Sequence, residues 1–414
     1  MEYGCIGEHL THSFSKEIHN LLTDYDYQIR EVSKEELPSF MNAKEFKAIN
    51  VTIPYKQDVI PFLSEIDPMA KEIHAVNTIV NKNGRLCGYN TDFYGMSRLI
   101  EYIGITLTNK KVLILGTGGT SLTARAIAHS QKAAKVIRVS RTPAEKDTVS
   151  YEQALEQHQD AQIIINTTPC GMFPNPEGLP IDPAAFPKLE GVVDAIYNPL
   201  RSHLVLKAKQ LGIPAQGGLY MLVAQAVRAV EHFLDTTLPA DATNKVYEKL
   251  MTQKETIVLS GMPGSGKTTV GKLIAHRLGR PFVDMDDEII KKIGCPITDY
   301  FAQYGEAAFR EVEAQVAKEI IAPLTGAVVA TGGGAVLRED NVDHLRLNGR
   351  IYFIDRPLEQ LCATADRPTA NSLEAIKQRY EERYDRYCNI CDVHIHSNGI
   401  AQEVAEQITK DFVI

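Results

Sequence analysis

The chain has 414 residues, 44% of them apolar and 23% charged, and carries a net charge of −8. That balance marks a globular chain with two or three domains and ample core, and it excludes a small disulfide-stapled fold. It also excludes an overall basic field that would recruit nucleic acid or an anionic membrane, so the expected partners are small molecules. Neither an apolar run long enough to span a bilayer nor a charged-then-apolar leader is visible, and the seven cysteines are odd in number and scattered. Both features predict a cytoplasmic protein with reduced thiols. A homo-oligomer is compatible with this reading.

Tyr3–Ile6 reads as a strand and Ser15–Leu22 as a helix with Ile18, Leu21 and Leu22 on its inner face. Between them Ser13 and Ser15 offer two hydroxyls at a strand-to-helix junction, suited to capping the helix or to holding an anion. Ala48–Val51 is strand-like and runs into Asn50-Val-Thr52-Ile-Pro-Tyr-Lys56, where Pro54 ends regular pairing and leaves Lys56 in a loop. Ala75-Val-Asn77-Thr78 leads into a hairpin turning at Asn83-Gly84 and returning as Gly88-Tyr-Asn-Thr-Asp92. These four segments, in this order and spacing, resemble the substrate domain of shikimate dehydrogenase. A Lys–Asp pair suits that chemistry, because ketone reduction needs a proton donor beside a developing alkoxide.

Lys111–Leu115 is a continuous apolar strand followed by Gly116-Thr-Gly118-Gly119 and a helical stretch, with Ser121 where a third glycine commonly sits. This is a dinucleotide fingerprint. About twenty residues on, the next strand ends in Ser140-Arg141-Thr142, a basic residue where an NAD site carries an acid, which favours the 2′-phosphate of NADP. The buried strand Gln162–Asn166 ends at the ligand crevice of a doubly wound sheet, so Asn166 and Thr167 are expected beside the nicotinamide. Tyr197-Asn-Pro199 and the segment Gly217-Gly218…Gln225 are similar to further segments of the same family, extending the resemblance to about residue 235. It implies a substrate site of Ser13, Ser15, Thr52, Lys56, Asn77, Asp92, Tyr197 and Gln225, with Gly218 near the cofactor.

The stretch from Asp235 to Glu255 loses strong apolar alternation, and 239–254 reads as a linker with room for a short helix. After it comes Thr256-Ile-Val-Leu-Ser followed by Gly261-Met-Pro-Gly264-Ser265-Gly266-Lys267-Thr268-Thr269, the G-x-x-x-x-G-K-[ST] phosphate loop. Its glycines let backbone N–H groups close on phosphate, Lys267 adds a cation, and Thr268 offers a hydroxyl to Mg²⁺. Asp284 and Asp286 read as acids on one side of a strand end, one for Mg²⁺ and one for an alcohol.

Together with Gly305-Glu-x-x-Phe-Arg310-x-x-Glu313 and Gly332-Gly333-Gly334, this half resembles shikimate kinase over about residues 256–410. The resemblance implies Asp286 on the ring hydroxyls, Arg310 and Arg383 on the carboxylate, Gly333 near the ring, and Arg367 in the lid reaching the phosphates. That lid is short, and Thr369 replaces a usual aliphatic residue. Cys388-x-x-Cys391 with His394 and His396 can be drawn as a metal cluster, but no second Cys pair exists. Val393–His396 reads instead as strand alternation with both histidines on one face.

The expected architecture is α/β throughout. It comprises a substrate domain (1–104, closed by a helix at about 217–238), a Rossmann-type NADP domain (105–216), and a phosphate-loop domain like a nucleoside monophosphate kinase (255–414). The two resemblances imply NADPH-dependent reduction of 3-dehydroshikimate and ATP-dependent, Mg²⁺-assisted phosphorylation of shikimate. The rival of an NAD-using dehydrogenase fused to another polyol kinase is disfavoured by Arg141 and by the Arg310/Arg383 pair. A purely regulatory nucleotide sensor is disfavoured because Lys56, Asp92, Lys267 and Asp286 are all present.

Overall fold

Short apolar runs punctuated by glycine and proline organise the chain into three sheets. The computed structural model describes residues 1–8, 10, 14–143, 147–361 and 373–413. Two compact units result, Met1–Leu250 and Met251–Ile414. Ser13 and Arg367 lie outside the described residues.

The first sheet contains β1 (Tyr3–Gly7), β2 (Tyr27–Glu31), β3 (Ala48–Val51), β4 (Glu65–Ile66), β5 (Thr78–Lys82) and β6 (Arg85–Tyr89), in the order β2-β1-β3-β5-β6-β4. β1, β2 and β3 are parallel, whereas β5 runs antiparallel to β3 and forms a hairpin with β6. Asn83 and Gly84 both take positive φ at that turn, as a two-residue hairpin loop requires. The register sets Asn50 opposite Thr78, so polar groups meet inside an otherwise apolar sheet.

The second sheet is wholly parallel: β7 (Lys111–Leu115), β8 (Lys135–Val139), β9 (Thr148–Val149), β10 (Ile163–Asn166), β11 (Gly191–Asp194) and β12 (Ala215–Gln216), ordered β12-β11-β10-β7-β8-β9. Strand order reverses between β7 and β10, and the ligand crevice of such a sheet opens at the carboxyl ends of those strands. The chain enters this sheet after the helix Thr91–Tyr102 and leaves it at Gly217-Gly218 into the helix Leu219–Leu234. That last helix is apolar on most of its surface and buries Tyr220, Met221, Val223, Val227, Val230 and Phe233. It returns to the first sheet, stacking Tyr220 on Tyr102 at 4.1 Å between ring centroids and Phe233 on Tyr3 at 5.9 Å.

The second unit carries a five-stranded parallel sheet, β13 (Thr256–Ser260), β14 (Phe282–Asp284), β15 (Val328–Ala330), β16 (Gly349–Asp355) and β17 (Val393–His396), ordered β14-β15-β13-β16-β17. Both faces are covered, and β13 shows why its sequence is continuously apolar: Val258 packs into one core with Val329 and Ile351, Ile257 and Leu259 into the other with Val328 and Tyr352.

Two local expectations change. Residues 242–254 form a thirteen-residue helix, Ala242–Lys254, that buries Val246, Tyr247 and Leu250. Apolar residues four apart on one helical face outweigh the polar composition that suggested a linker. The second change concerns Asp286. β14 ends at Asp284 and a helix begins at Met285, so Asp286 sits in a first helical turn rather than on a strand. Among the described residues no helix is long and apolar enough to cross a membrane.

Candidate active sites

A cavity of about 490 Å³ lies between the first two sheets, where β3 and the helix Thr91–Tyr102 face the carboxyl ends of the nucleotide-type strands. Lys56 reaches it from the loop after β3 and Asp92 from the first turn of that helix. Lys56 Nζ donates to Asp92 Oδ2 at 2.6 Å, with the two side chains 15% and 11% exposed. Asn90 caps the helix by accepting from the Phe93 N–H at 3.1 Å, which fixes the turn that presents Asp92. The first helical turn also sets Asp92 at the positive end of the helix dipole.

Asn77 is buried, and its Oδ1 accepts from the Thr91 N–H (2.8 Å) and from the hydroxyls of Thr78 (3.1 Å) and Thr91 (3.2 Å). Its carbonyl is thus engaged inside the protein and its NH₂ end is the part the cleft can use. Gln225 comes from the returning helix; its Oε1 lies 3.2 Å from the Thr91 hydroxyl, sharing that single proton with Asn77 Oδ1, and its Nε2 donates to the Leu222 carbonyl (3.0 Å). Ser15, Thr52 and Tyr197 line the same cavity, and burial raises the Tyr197 phenol above its ordinary pKa. Ser15 is not the helix cap, because Phe14 holds that position and no side chain caps it. Asn50, which sequence reasoning missed, also lines the cleft. It ties β3 to its neighbours through Tyr27 Oη (2.7 Å) and Thr78 Oγ1 (3.1 Å). Its only signal in the sequence was an amide inside an apolar strand.

On the nucleotide side, Gly116 leaves β7 with φ 106° and Gly118 caps the helix Gly119–Ser130 without a side chain. An added Cβ at Gly118 or Gly119 would meet no atom within 4 Å, so the helix N-terminus presents open backbone N–H groups, a ready anion site. Ser121 is fully buried. Ser140 Oγ accepts from the Thr142 N–H at 3.2 Å and orders the strand end around Arg141. Arg141 is exposed, and among the described residues it has no ion-pair partner, whereas Arg138 of the same strand is committed to Asp147 at 2.9 Å.

Asn166 departs from expectation. It is completely buried, donating to Asp194 (3.0 Å) and accepting from the Thr168 N–H and hydroxyl (3.0 and 2.7 Å), so it braces the loop from behind. Thr167 and Thr168 line the cleft instead, together with Gly218.

The second unit holds a cavity of about 580 Å³ over the phosphate loop. Gly261, Gly264 and Gly266 all take positive φ (149°, 84° and 91°), which wraps the loop and points its N–H groups inward. Lys267 is buried and donates to the carbonyls of Gly261 (2.9 Å) and Met262 (3.0 Å). Ser265 is buried within the loop, while Thr269 is exposed. Thr268 Oγ1 donates to Asp284 Oδ2 at 2.8 Å, and Asp284 Oδ1 accepts from the Asp286 N–H at 3.1 Å. The two acids therefore face one cavity through a helix cap.

Opposite them, Arg310 pairs with Glu313 (2.7 Å) and Glu306 (3.0 Å), and Arg383 donates to the Gly333 carbonyl at 3.4 Å. Glu313, the last acid of its motif, received no role from the sequence. It is 1% exposed, and burial raises its pKa against the pull of Arg310. Tyr387, also unforeseen, anchors the Gly333 carbonyl through its hydroxyl.

The geometry defines a dinucleotide-binding oxidoreductase unit followed by a phosphate-loop kinase unit. Comparison with known proteins agrees on both. Residues 5–79 match the family model "Shikimate dehydrogenase substrate binding domain", and residues 263–412 match "Shikimate kinase". A shikimate dehydrogenase (NADP(+)) of Clostridium perfringens strain 13 is 35% identical over 265 residues, spanning 60% of this chain and 97% of that protein. Among solved structures, a chorismate mutase/shikimate 5-dehydrogenase fusion protein from Clostridium acetobutylicum is 32% identical with a TM-score of 0.57, covering 60% of this chain and 96% of its own. The Thermus thermophilus shikimate 5-dehydrogenase in complex with NADP(H) and shikimate is 27% identical with a TM-score of 0.54, covering 60% and 99%. The chain belongs to the shikimate dehydrogenase family and continues into a shikimate kinase domain.

Proposed function

We propose that this chain carries out two consecutive steps, NADPH-dependent reduction of 3-dehydroshikimate and ATP-dependent phosphorylation of the shikimate formed. The observation that carries the reading is the close Lys56–Asp92 pair in a cleft whose other wall is a dinucleotide-type sheet, with a complete phosphate-loop cavity in the following unit.

In the first cavity the Lys56 ammonium group donates its proton to the ketone oxygen as that oxygen becomes an alkoxide, and Asp92 holds the lysine in place. The bound nicotinamide supplies the hydride. Asn77, Gln225, Ser15, Thr52 and Tyr197 orient the ring, while Arg141, with Ser140 and Thr142, takes the 2′-phosphate. In the second cavity Asp286 orients the substrate hydroxyl and accepts its proton. Arg310 spends only part of its five-donor guanidinium on Glu306 and Glu313, so it retains donors for a carboxylate shared with Arg383. The Thr268 hydroxyl beside the Asp284 carboxylate is an all-oxygen donor set that fits Mg²⁺, which when bound neutralises phosphate charge. Lys267 adds a second cation to the same phosphates, and Arg367 a third in the lid. The free thiols of the described residues suit a reducing cytoplasm.

One assay tests the whole reading. With 3-dehydroshikimate, NADPH and ATP·Mg²⁺ the protein should oxidise NADPH and then release ADP in matching amounts, the second only after the first. ADP release without prior ketone reduction, or reduction with no phosphorylation, contradicts the reading.

A further inference from the structure

β17 is the edge strand of the kinase sheet, and its sequence Val393-His394-Ile395-His396 places both imidazoles on one face. Their ring centroids are 4.2 Å apart. The neighbouring strand ends at Asp355, paired in register with His396, and brings a carboxylate to the same face. Asp355 Oδ2 lies 2.9 Å from His394 Nε2 and 3.4 Å from His396 Nδ1. One ligand atom from each of the three residues falls within 4.8 Å of the other two.

We propose that Asp355, His394 and His396 form a binding site for a borderline divalent transition-metal ion such as Zn²⁺, distinct from the Thr268–Asp284 oxygen pair. Bonds of about 2.0–2.1 Å in a tetrahedral arrangement place neighbouring ligand atoms about 3.3 Å apart, close to the spacing already present. The ion would bind a ring-nitrogen lone pair of each neutral imidazole, the N–H lying on the other nitrogen, with little backbone movement. Two imidazole nitrogens and one carboxylate select Zn²⁺, Co²⁺ or Ni²⁺ over Mg²⁺ and Ca²⁺, which prefer oxygen.

The surroundings also fit. Asp355 is 10% exposed in its side chain and its orientation is braced by the Tyr384 hydroxyl, which donates to Oδ2 at 2.9 Å, the supporting contact that metal-binding carboxylates usually have. His396 is 70% exposed, so packing does not explain its position and the fourth coordination place opens to water. The nearby Cys388-x-x-Cys391 pair is not part of the cluster: Cys391 Sγ donates to the Cys388 carbonyl at 3.3 Å. An ion here would join β16 to the exposed edge strand β17 across their side chains.

The test is equilibrium dialysis of the full chain against Zn²⁺ in excess Mg²⁺, which occupies hard-ion sites, alongside His396→Gln and His394→Gln. One tightly held Zn²⁺ per chain is expected. Loss of a supporting partner costs metal sites about 10–100-fold in affinity, so loss of a direct ligand should weaken this one by about 100-fold or more. In a second measurement Zn²⁺ should raise the unfolding temperature of the wild type and not of His396→Gln, whose exposed side chain contributes nothing to the core. No Zn²⁺ uptake, uptake equal in all three proteins, or an equal thermal shift in wild type and His396→Gln would overturn the proposal.

Discussion

Lys56 and Asp92 share a contact too close and too enclosed for a solvated surface pair, and the other polar side chains lining the cleft offer hydroxyls, amides and the Cys5 thiol rather than a second ammonium group. Replacing Lys56 with alanine should therefore lower kcat for ketone reduction by about 10²–10⁴, the usual worth of a positioned general acid, and leave the phosphorylation rate unchanged. Steady-state assays of both reactions on the same preparation check this, and retained reduction would remove Lys56 from the chemistry. Arg141 calls for a smaller number. A charge-assisted phosphate contact contributes about 1.5–3 kcal/mol, but Arg141 is exposed and screened, so the lower end applies. Arg141→Ala should cost about tenfold in kcat/KM for NADPH and little for NADH. An unmoved NADPH/NADH ratio would assign the 2′-phosphate to another group.

Elements decide where those residues point, and here the sequence was legible to different depths. The phosphate loop, the Asn83-Gly84 hairpin and the parallel strand of Lys111–Leu115 were readable because each is a local rule: glycine conformations, turn chemistry, continuous burial. Asn50 and Tyr387 were not, since each gains its role only when distant elements bring partners together, and Glu313, one helical turn from Arg310, is set apart only by a burial that its spacing does not reveal. Asn166 was misplaced for a related reason. The strand end was correctly put at the crevice, but the side chain alternates to the inside.

Gly334 shows how backbone and site are joined. A Cβ there would fall 2.2–2.5 Å from the Arg310 guanidinium, and the flexible arginine would yield before the backbone. Gly334→Ala should raise KM for shikimate by about tenfold, the cost of one charge-assisted contact, with KM for ATP unchanged. Equal rises in both constants would mean the loop itself had moved.

The helix Ser15–Leu22 supplies a pH-dependent term. His19 is stacked on Tyr27 at 3.8 Å and bonded to Tyr25 Oη at 2.6 Å, and burial lowers its pKa from 6.5 to about 3. It stays neutral in the fold but charges in the unfolded chain, so its contribution is whole above pH 6.5 and is lost as the pH falls towards 3. Between pH 7 and pH 5 that loss is about 2 kcal/mol. Urea unfolding at those two pH values should show it in wild type and not in His19→Phe, and equal losses in both proteins would refute the assignment.

At the scale of the whole molecule, each unit contains its own sheets, cores and cavity. Fragments should therefore work apart, provided the join is cut where the structure permits. The dehydrogenase fragment must run to Lys254 so that the helix Ala242–Lys254 stays whole. The kinase fragment must keep Thr252 and Glu255, whose carbonyls accept from Arg280, and starting it at Ala242 leaves the helix that carries Thr252 whole. Such fragments, 1–254 and 242–414, should each retain a turnover within about threefold of the intact chain, well inside 1 kcal/mol. Two soluble but inactive pieces would show that the activities need one another.

The position of Tyr247 on that helix has a mechanical consequence for the dehydrogenase. The chain joins the two sheets of the first unit through only two short passages, after Tyr102 and at Gly217-Gly218. Tyr247 sits against both, packing edge-on to Tyr102 and Tyr220 and accepting from Gln216 Nε2 at 2.8 Å. Tyr247 therefore bridges the two places at which the walls of the cleft are joined. An aromatic ring on a segment whose composition reads as mere connection thus ties together the two passages that join the walls of the cleft.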